Sequence, residues 1–271
     1  MVRDYTVAGV NFRIDTDFDF MANGCTNLFE NEFDIPDIRI NIRLGDIPVF
    51  DNLISKSERF NIYLNENDEK IKIWNDVANH RQHFLVKYTD FGADCILNKD
   101  TNDVARDMYH FWNMLGIEEL FFRKRKISVH SCLVKFNEKA VLFCGNSGIG
   151  KSTQGELWEK YANAEVLNGD RTILYIENNI VYASPSVING TSGICKNETL
   201  PVKGIVVLGQ SNENHIEQLS GINALTKLLE NVSLGVKASE ECIKICSSVP
   251  VYKFDCTPDK NAVYVLKEVL F

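Results

Sequence analysis

The chain has 271 residues, 45% apolar and 24% charged, enough to bury a full core in one large or two smaller domains. Its net charge of −8 argues against a nucleic-acid polyanion as partner, because neutralising phosphates takes clustered Lys and Arg. The short basic run Arg123-Lys124-Arg125-Lys126 reads as a solvated helix end, and no leader or 18-residue apolar span stands out, so a cytoplasmic protein without a membrane partner is expected. The eight cysteines fall mostly in apolar segments with no C-x-x-C pair, which predicts buried reduced thiols. His80-x-x-His83 lacks a second pair at ligand spacing, so no zinc site is expected.

Residues 1–100 read as β-rich. Tyr5 to Ile14, Asp37 to Leu44, Arg59 to Leu64, Lys70 to Trp74 and Gln82 to Leu97 carry alternating or β-branched apolar residues. The polar cluster Asn65-Glu66-Asn67-Asp68 predicts a hairpin between the third and fourth of these. No catalytic constellation declares itself in this region. Thr101-Asn102-Asp103 is an N-cap candidate for a helix whose apolar stripe is Val104, Met108, Phe111, Trp112 and Leu115.

A second hairpin is expected from Ile127 to Phe136, through Asn137-Glu138-Lys139, into the apolar strand Ala140 to Cys144. That strand feeds Gly145-Asn146-Ser147-Gly148-Ile149-Gly150-Lys151-Ser152-Thr153, which spells the phosphate-binding loop G-x-x-x-x-G-K-[ST]. Glycines permit the positive φ angles of a concave nest of N–H donors. Lys151 then reaches the β- and γ-phosphates of ATP, the Ser152 hydroxyl is placed for Mg²⁺, and a helix through Gln154 to Tyr161 points its positive end at the anion. Ala164 to Leu167 is the next strand, ending at Asn168-Gly169-Asp170-Arg171. An acidic residue there is the expected second Mg²⁺ contact, so Ser152 and Asp170 form the candidate metal pair. Thr172 to Ile176 and Ile180 to Tyr182 flank a turn at Glu177-Asn178-Asn179. Asn189 to Glu198 is a polar, glycine-bearing loop, Lys203 to Leu208 a buried strand, and residues 220–247 helical. Pro250 to Phe254 is a last strand, and Pro258-Asp259-Lys260 opens a final helix.

From about residue 127 onward the chain resembles the catalytic domain of HPr kinase/phosphorylase, whose nucleotide-binding architecture is shared with ATP-dependent phosphoenolpyruvate carboxykinase. The resemblance rests on His130-Ser131, the hairpin, the loop from Gly145 to Ser152, and Asp170-Arg171. Leu157-Trp158, Asn168-Gly169-Asp170-Arg171, Gly190 to Glu198 and Cys256-x-Pro258-Asp259-x-x-Ala262-Val263 are similar to HPr-kinase-like proteins that accompany peptide-modification systems. The resemblance implies an ATP- and Mg²⁺-dependent kinase acting on a serine hydroxyl of a small protein or peptide. It places the histidine and acidic residues, His130 and Asp170, close to the transferred phosphate; Lys151 would hold the phosphates, and His130, Arg171, Lys196 and Glu198 are the candidates for the acceptor side. Two features depart from HPr kinase: Gly169 replaces the first of two adjacent aspartates, and Lys203-Gly204-Ile205-Val206 only loosely echoes its arginine-bearing signature. HPr as substrate and the reverse phosphorylase reaction therefore do not follow, and His130 becomes the candidate base.

The expected fold is α/β: a β-rich region over residues 1–125 ending in a helix, then a phosphate-loop kinase domain over residues 126–271 with a mixed sheet and helices. A nucleotide-binding regulator without turnover and a carboxykinase-like lyase are the alternative functions, and homo-oligomerisation is left open.

Overall fold

The computed structural model describes residues 1–21, 24–76, 81–100 and 106–271. The chain forms two compact units, Met1–Leu120 and Phe121–Phe271.

The first unit holds β1 (Val2–Val7), β2 (Val10–Thr16), α1 (Gly24–Asn27), β3 (Ile38–Gly45), β4 (Asn52–Lys56), β5 (Phe60–Leu64), β6 (Lys70–Asn75), β7 (Gln82–Thr89), β8 (Gly92–Asn98) and α2 (Met108–Leu115). Its sheet runs β1-β2-β3-β8-β7-β6-β5-β4, antiparallel except for the β2–β3 and β3–β8 pairs. Alternate residues Phe12, Ile14 and Ile40 are fully buried, as are Phe111 and Trp112 of α2, and Trp112 meets Tyr5 edge to face with centroids 5.7 Å apart.

The run Tyr5 to Ile14, read as one strand, is a hairpin turning at Ala8 and Gly9, both at positive φ. Gln82 to Leu97 likewise splits in two. Just after its turn, a Cβ on Gly92 would lie 1.8 Å from the Arg39 carbonyl oxygen, so only glycine fits. The hairpin expected over residues 60–74 is present, with Phe60 opposite Trp74. The proposed N-cap at Thr101-Asn102-Asp103, Val104, and His80 of the His pair lie outside the described residues. The described helix α2 is capped by Asp107, whose carboxylate accepts from the Tyr109 and His110 amides, and it ends on left-handed Gly116.

Through α3 (Ile117–Arg123) the chain passes into the second unit, which holds β9 (Ile127–Phe136), β10 (Lys139–Cys144), α4 (Lys151–Ala162), β11 (Glu165–Asn168), β12 (Arg171–Glu177), β13 (Ile180–Pro185), β14 (Leu200–Gln210), β15 (His215–Leu219), α5 (Gly221–Leu229), α6 (Ser239–Ser248), β16 (Val251–Cys256) and α7 (Lys260–Leu270). The fold is mixed α/β. The sheet runs β10-β9-β12-β13-β14-β16-β15, and a parallel pairing of β10 with β14 closes β9, β12, β13, β14 and β10 into a circuit. Strand alternation gives it two cores. Leu142 and Cys144 face a cluster completed by Ala224 and Leu228 of α5 and Cys242 and Ile245 of α6. Val141 and Phe143 face Trp158 of α4 and Val263 and Leu266 of α7. Helices thus cover both faces of the strand that delivers the phosphate loop, which explains its unbroken apolar run.

Both tight turns in this unit are two-residue: Asn137-Glu138 and Asn178-Asn179 sit at positive φ, the geometry that matches strand twist. The helical pattern of residues 220–247 is two helices, broken by a 3-10 turn at Gly235–Ala238, and β15 had no clear signal. None of the eight cysteines is in a disulfide, and Cys195 and Cys246 are the less sheltered pair in this unit. Among the described residues, no helix is long and apolar enough to cross a membrane.

Candidate active site

The phosphate loop leaves β10 at Cys144, which is paired with Ser131 of β9 on one side and Val207 of β14 on the other. Gly145, at φ 140°, has Ile149 packed against the space where a Cβ would stand (2.9 Å), and Gly150, at φ 114°, serves as N-cap of α4 with no side-chain cap. The first amides of α4 are therefore left for a ligand, at the positive end of the helix. Asn146, Ser147 and Gly148 are exposed along the loop, and Ser152 and Thr153 are exposed on the first turn of α4. The Lys151 ammonium lies back in the loop, donating to the carbonyls of Gly145 (2.8 Å) and Asn146 (3.1 Å). Burial lowers its pKa, and the charge of Asp170 opposes that shift. Gln210 at the end of β14 ties the loop down by donating to the Gly148 carbonyl at 3.2 Å.

Asp170 lies in a break between two strands that both run along β9. The register shifts between Val166 and Asn168, and pairing resumes with Arg171 opposite His130. Such irregularities re-aim side chains out of a ladder. The Asp170 carboxylate meets His130 Nε2 at 3.3 Å through Oδ1 and Arg171 Nε at 3.6 Å through Oδ2, the latter a charge contact longer than a hydrogen bond. Burial pushes the Asp170 carboxyl up, but the His130 hydrogen bond and the charges of Arg171, His130 and Lys151 outweigh it and hold the group below the usual carboxylate range. Arg171 is steadied by Nη1 donating to Ser233 Oγ at 2.7 Å, and the His130 amide donates to the Asn231 carbonyl at 2.8 Å.

His130, Asp170 and Arg171 are thus in contact, and Lys151 shares their electrostatic field. Lys196 and Glu198 are not brought to them. The Lys196 amide bonds to Leu167, so the chain runs back along β11: Lys196 pairs with Glu165, and Glu198 with Lys135 at 2.7 Å. Lys135 is opposite Ala140, at the end of the hairpin away from the phosphate loop. Lys135 is five residue steps along β9 from His130, about 16 Å of strand. Sequence proximity to a glycine loop carried no information about that direction. Reading the sequence also gave Asn168 no role of its own within the motif Asn168-Gly169-Asp170-Arg171, and passed over Gln210, Asn231 and Ser233. Only Asn168 had a local signal, as an asparagine two residues before the aspartate in a turn-forming run.

The donor set suits a cation that arrives with a nucleotide. No group of three or more His, Cys, Asp or Glu side chains able to hold a metal occurs among the described residues, whereas Mg²⁺ on phosphates asks for only one or two carboxylates. Asp170, held below the usual carboxylate range, is one such carboxylate, and the Ser152 hydroxyl is exposed on the first turn of α4. The first unit has a groove of about 670 Å³ over Phe50, Ile71, Leu85 and Ile96, but the polar groups on its wall pair locally, Asn41 with Asp94 and Lys87 with Glu69.

No protein-family model and no curated protein sequence matches the chain. Among solved structures, the Hpr(Ser) kinase/phosphatase from Coxiella burnetii matches 52% of this chain and 93% of its own, at 15% sequence identity and a TM-score of 0.33. The chain is thus distantly similar to an HPr kinase/phosphatase over about half its length.

Proposed function

We propose that the chain transfers the γ-phosphoryl group of ATP to a hydroxyl, that of a serine on a small protein or peptide. The observation that carries this reading is the uncapped N-terminus of α4 behind a glycine loop, with Lys151 at its first position and the His130–Asp170–Arg171 cluster in its field. The loop amides and Lys151 hold the β- and γ-phosphates, which requires the ammonium to leave the carbonyls of Gly145 and Asn146. Ser152 and Asp170 hold Mg²⁺, which neutralises charge on the phosphates when bound. The acceptor oxygen bonds to the γ-phosphorus as the bond to ADP breaks, and its proton passes to the His130 imidazole. Arg171, fixed by Ser233, offsets negative charge on the acceptor side. Catalysis of this kind is mostly positioning and charge neutralisation.

A regulator that binds ATP without turnover is the second reading, and one observation favours it. A Cβ on Gly169 would lie 2.3 Å from Ser192 Oγ, so this position has no room for the first of the two adjacent aspartates of HPr kinase. Incubation with γ-labelled ATP, Mg²⁺ and serine-bearing peptides or small proteins separates the two. Acid-stable label on the acceptor, absent with Lys151→Ala, supports the kinase. ATP binding with no ATP consumption under any acceptor leaves the regulator.

A further inference from the structure

The Asn168 side chain is fully buried and every hydrogen-bonding capacity it has is used. Its Oδ1 accepts from the Asp170 amide at 2.9 Å and the Arg171 amide at 3.0 Å. Its Nδ2 donates to the carbonyls of Ser186 at 2.9 Å and Ile188 at 3.2 Å, in the segment after β13. One amide group therefore staples the break in the β11–β12 line to a neighbouring segment. It does so on Asp170 and Arg171, two of the three residues whose side chains make the cluster with His130.

The surroundings leave Asp170 few other positions. Gly190 lies so close that a Cβ there would stand 2.8 Å from the Asp170 Cβ, and Ser192 fills the space above Gly169. The Asp170 carbonyl is held by the Ser131 amide at 3.0 Å. Of these restraints, Asn168 alone grips the amides on both sides of the Asp170 carbonyl.

We propose that Asn168 is a positioning residue that sets the divalent-cation affinity of the nucleotide site by fixing the backbone from which Asp170 and Arg171 project. This deepens the reading of Asp170 as the Mg²⁺ contact and rests on it. Without the side-chain amide, the backbone N–H groups of Asp170 and Arg171 lose their shared acceptor and the break can relax, carrying the carboxylate away from the phosphates. The loop amides and Lys151 depend on α4 and β14 and are unaffected. Outer groups that orient a metal ligand commonly govern affinity by about 10- to 100-fold.

The test is ATP binding by calorimetry, first in EDTA and then with stepwise MgCl₂, for wild type, Asn168→Ala and Asn168→Ser. Asn168→Ala is expected to raise the Mg²⁺ concentration for half-maximal enhancement by at least about tenfold while leaving ATP affinity in EDTA unchanged. Asn168→Ser, whose hydroxyl accepts from one amide, should shift it less in the same direction, and it carries the test if the alanine variant does not fold. A folded variant with wild-type Mg²⁺ dependence overturns the proposal, as does an equal loss of affinity in EDTA, which marks a merely structural role. A wild-type protein whose ATP binding ignores Mg²⁺ overturns the reading of Asp170 itself, and this inference with it.

Discussion

The Lys151 ammonium is buried, its pKa is lowered by that burial, and its partners are neutral carbonyls. A charge so placed costs the ligand-free protein something, so Lys151→Ala is expected to leave the ligand-free melting temperature close to wild type. ATP at about 100 times its dissociation constant should stabilise wild type by about 2.7 kcal/mol and the variant by far less. Equal ATP-induced melting shifts in the two proteins would refute the loop assignment. His130→Ala is expected to retain ATP binding while turnover falls about 10²-fold, read by ADP release with acceptor present; unchanged turnover removes His130 from proton transfer. The loop and Lys151 were legible because their chemistry is local, a fixed spacing on one turn. The role of Asn168 was not: its place in a turn-forming run was visible, but an asparagine at a strand end looks the same whether its side chain meets water or four backbone groups. Lys196 and Glu198 were misplaced for the converse reason: their neighbours in space, Glu165 and Lys135, are remote in sequence.

Helix α4 must lie close on β9 and β11 to aim its N-terminus, and Gly155 makes that approach possible. A Cβ there would stand 2.9 Å from Cys132 Sγ and 3.0 Å from Val166 Cγ2, beneath a fully buried Trp158. Gly155→Leu is therefore expected to destabilise the fold by about 1–3 kcal/mol in urea unfolding and to weaken ATP binding by tilting the helix. Wild-type stability and affinity together would mean that the helix seats with slack. At this scale legibility followed periodicity. Hairpins with asparagine-rich turns and strands with alternating burial were readable, since both express backbone rules in the residues themselves. β4 is exposed along its whole length and carries no alternation, so nothing marked it. The ends of α5 and α6 were hidden because a 3-10 turn keeps nearly the helical spacing.

For the molecule as a whole, the thiols report on integrity. Burial pushes Cys132, Cys144 and Cys242 up to about 12 and Cys256 to about 11, so these groups stay protonated and sheltered at pH 8. A thiol-reactive disulfide reagent at that pH is expected to label Cys195 in the native protein well before those four, and all eight on unfolding. Fast native labelling of Cys144 would contradict the sealed seat of the phosphate loop. The closed circuit of strands has a further consequence, for synthesis. β10, with Val141, Leu142 and Phe143 wholly buried, takes its second neighbour from β14, far downstream. While the ribosome is still making the intervening chain, β10 presents an apolar, unpaired edge, the kind of template that seeds aggregation. Closing that long loop is also the slow step that high contact order imposes. A chain stopped at Glu198 is thus expected to aggregate and to show no ATP-dependent change in melting, so nucleotide cannot rescue the nascent protein before β14 is made.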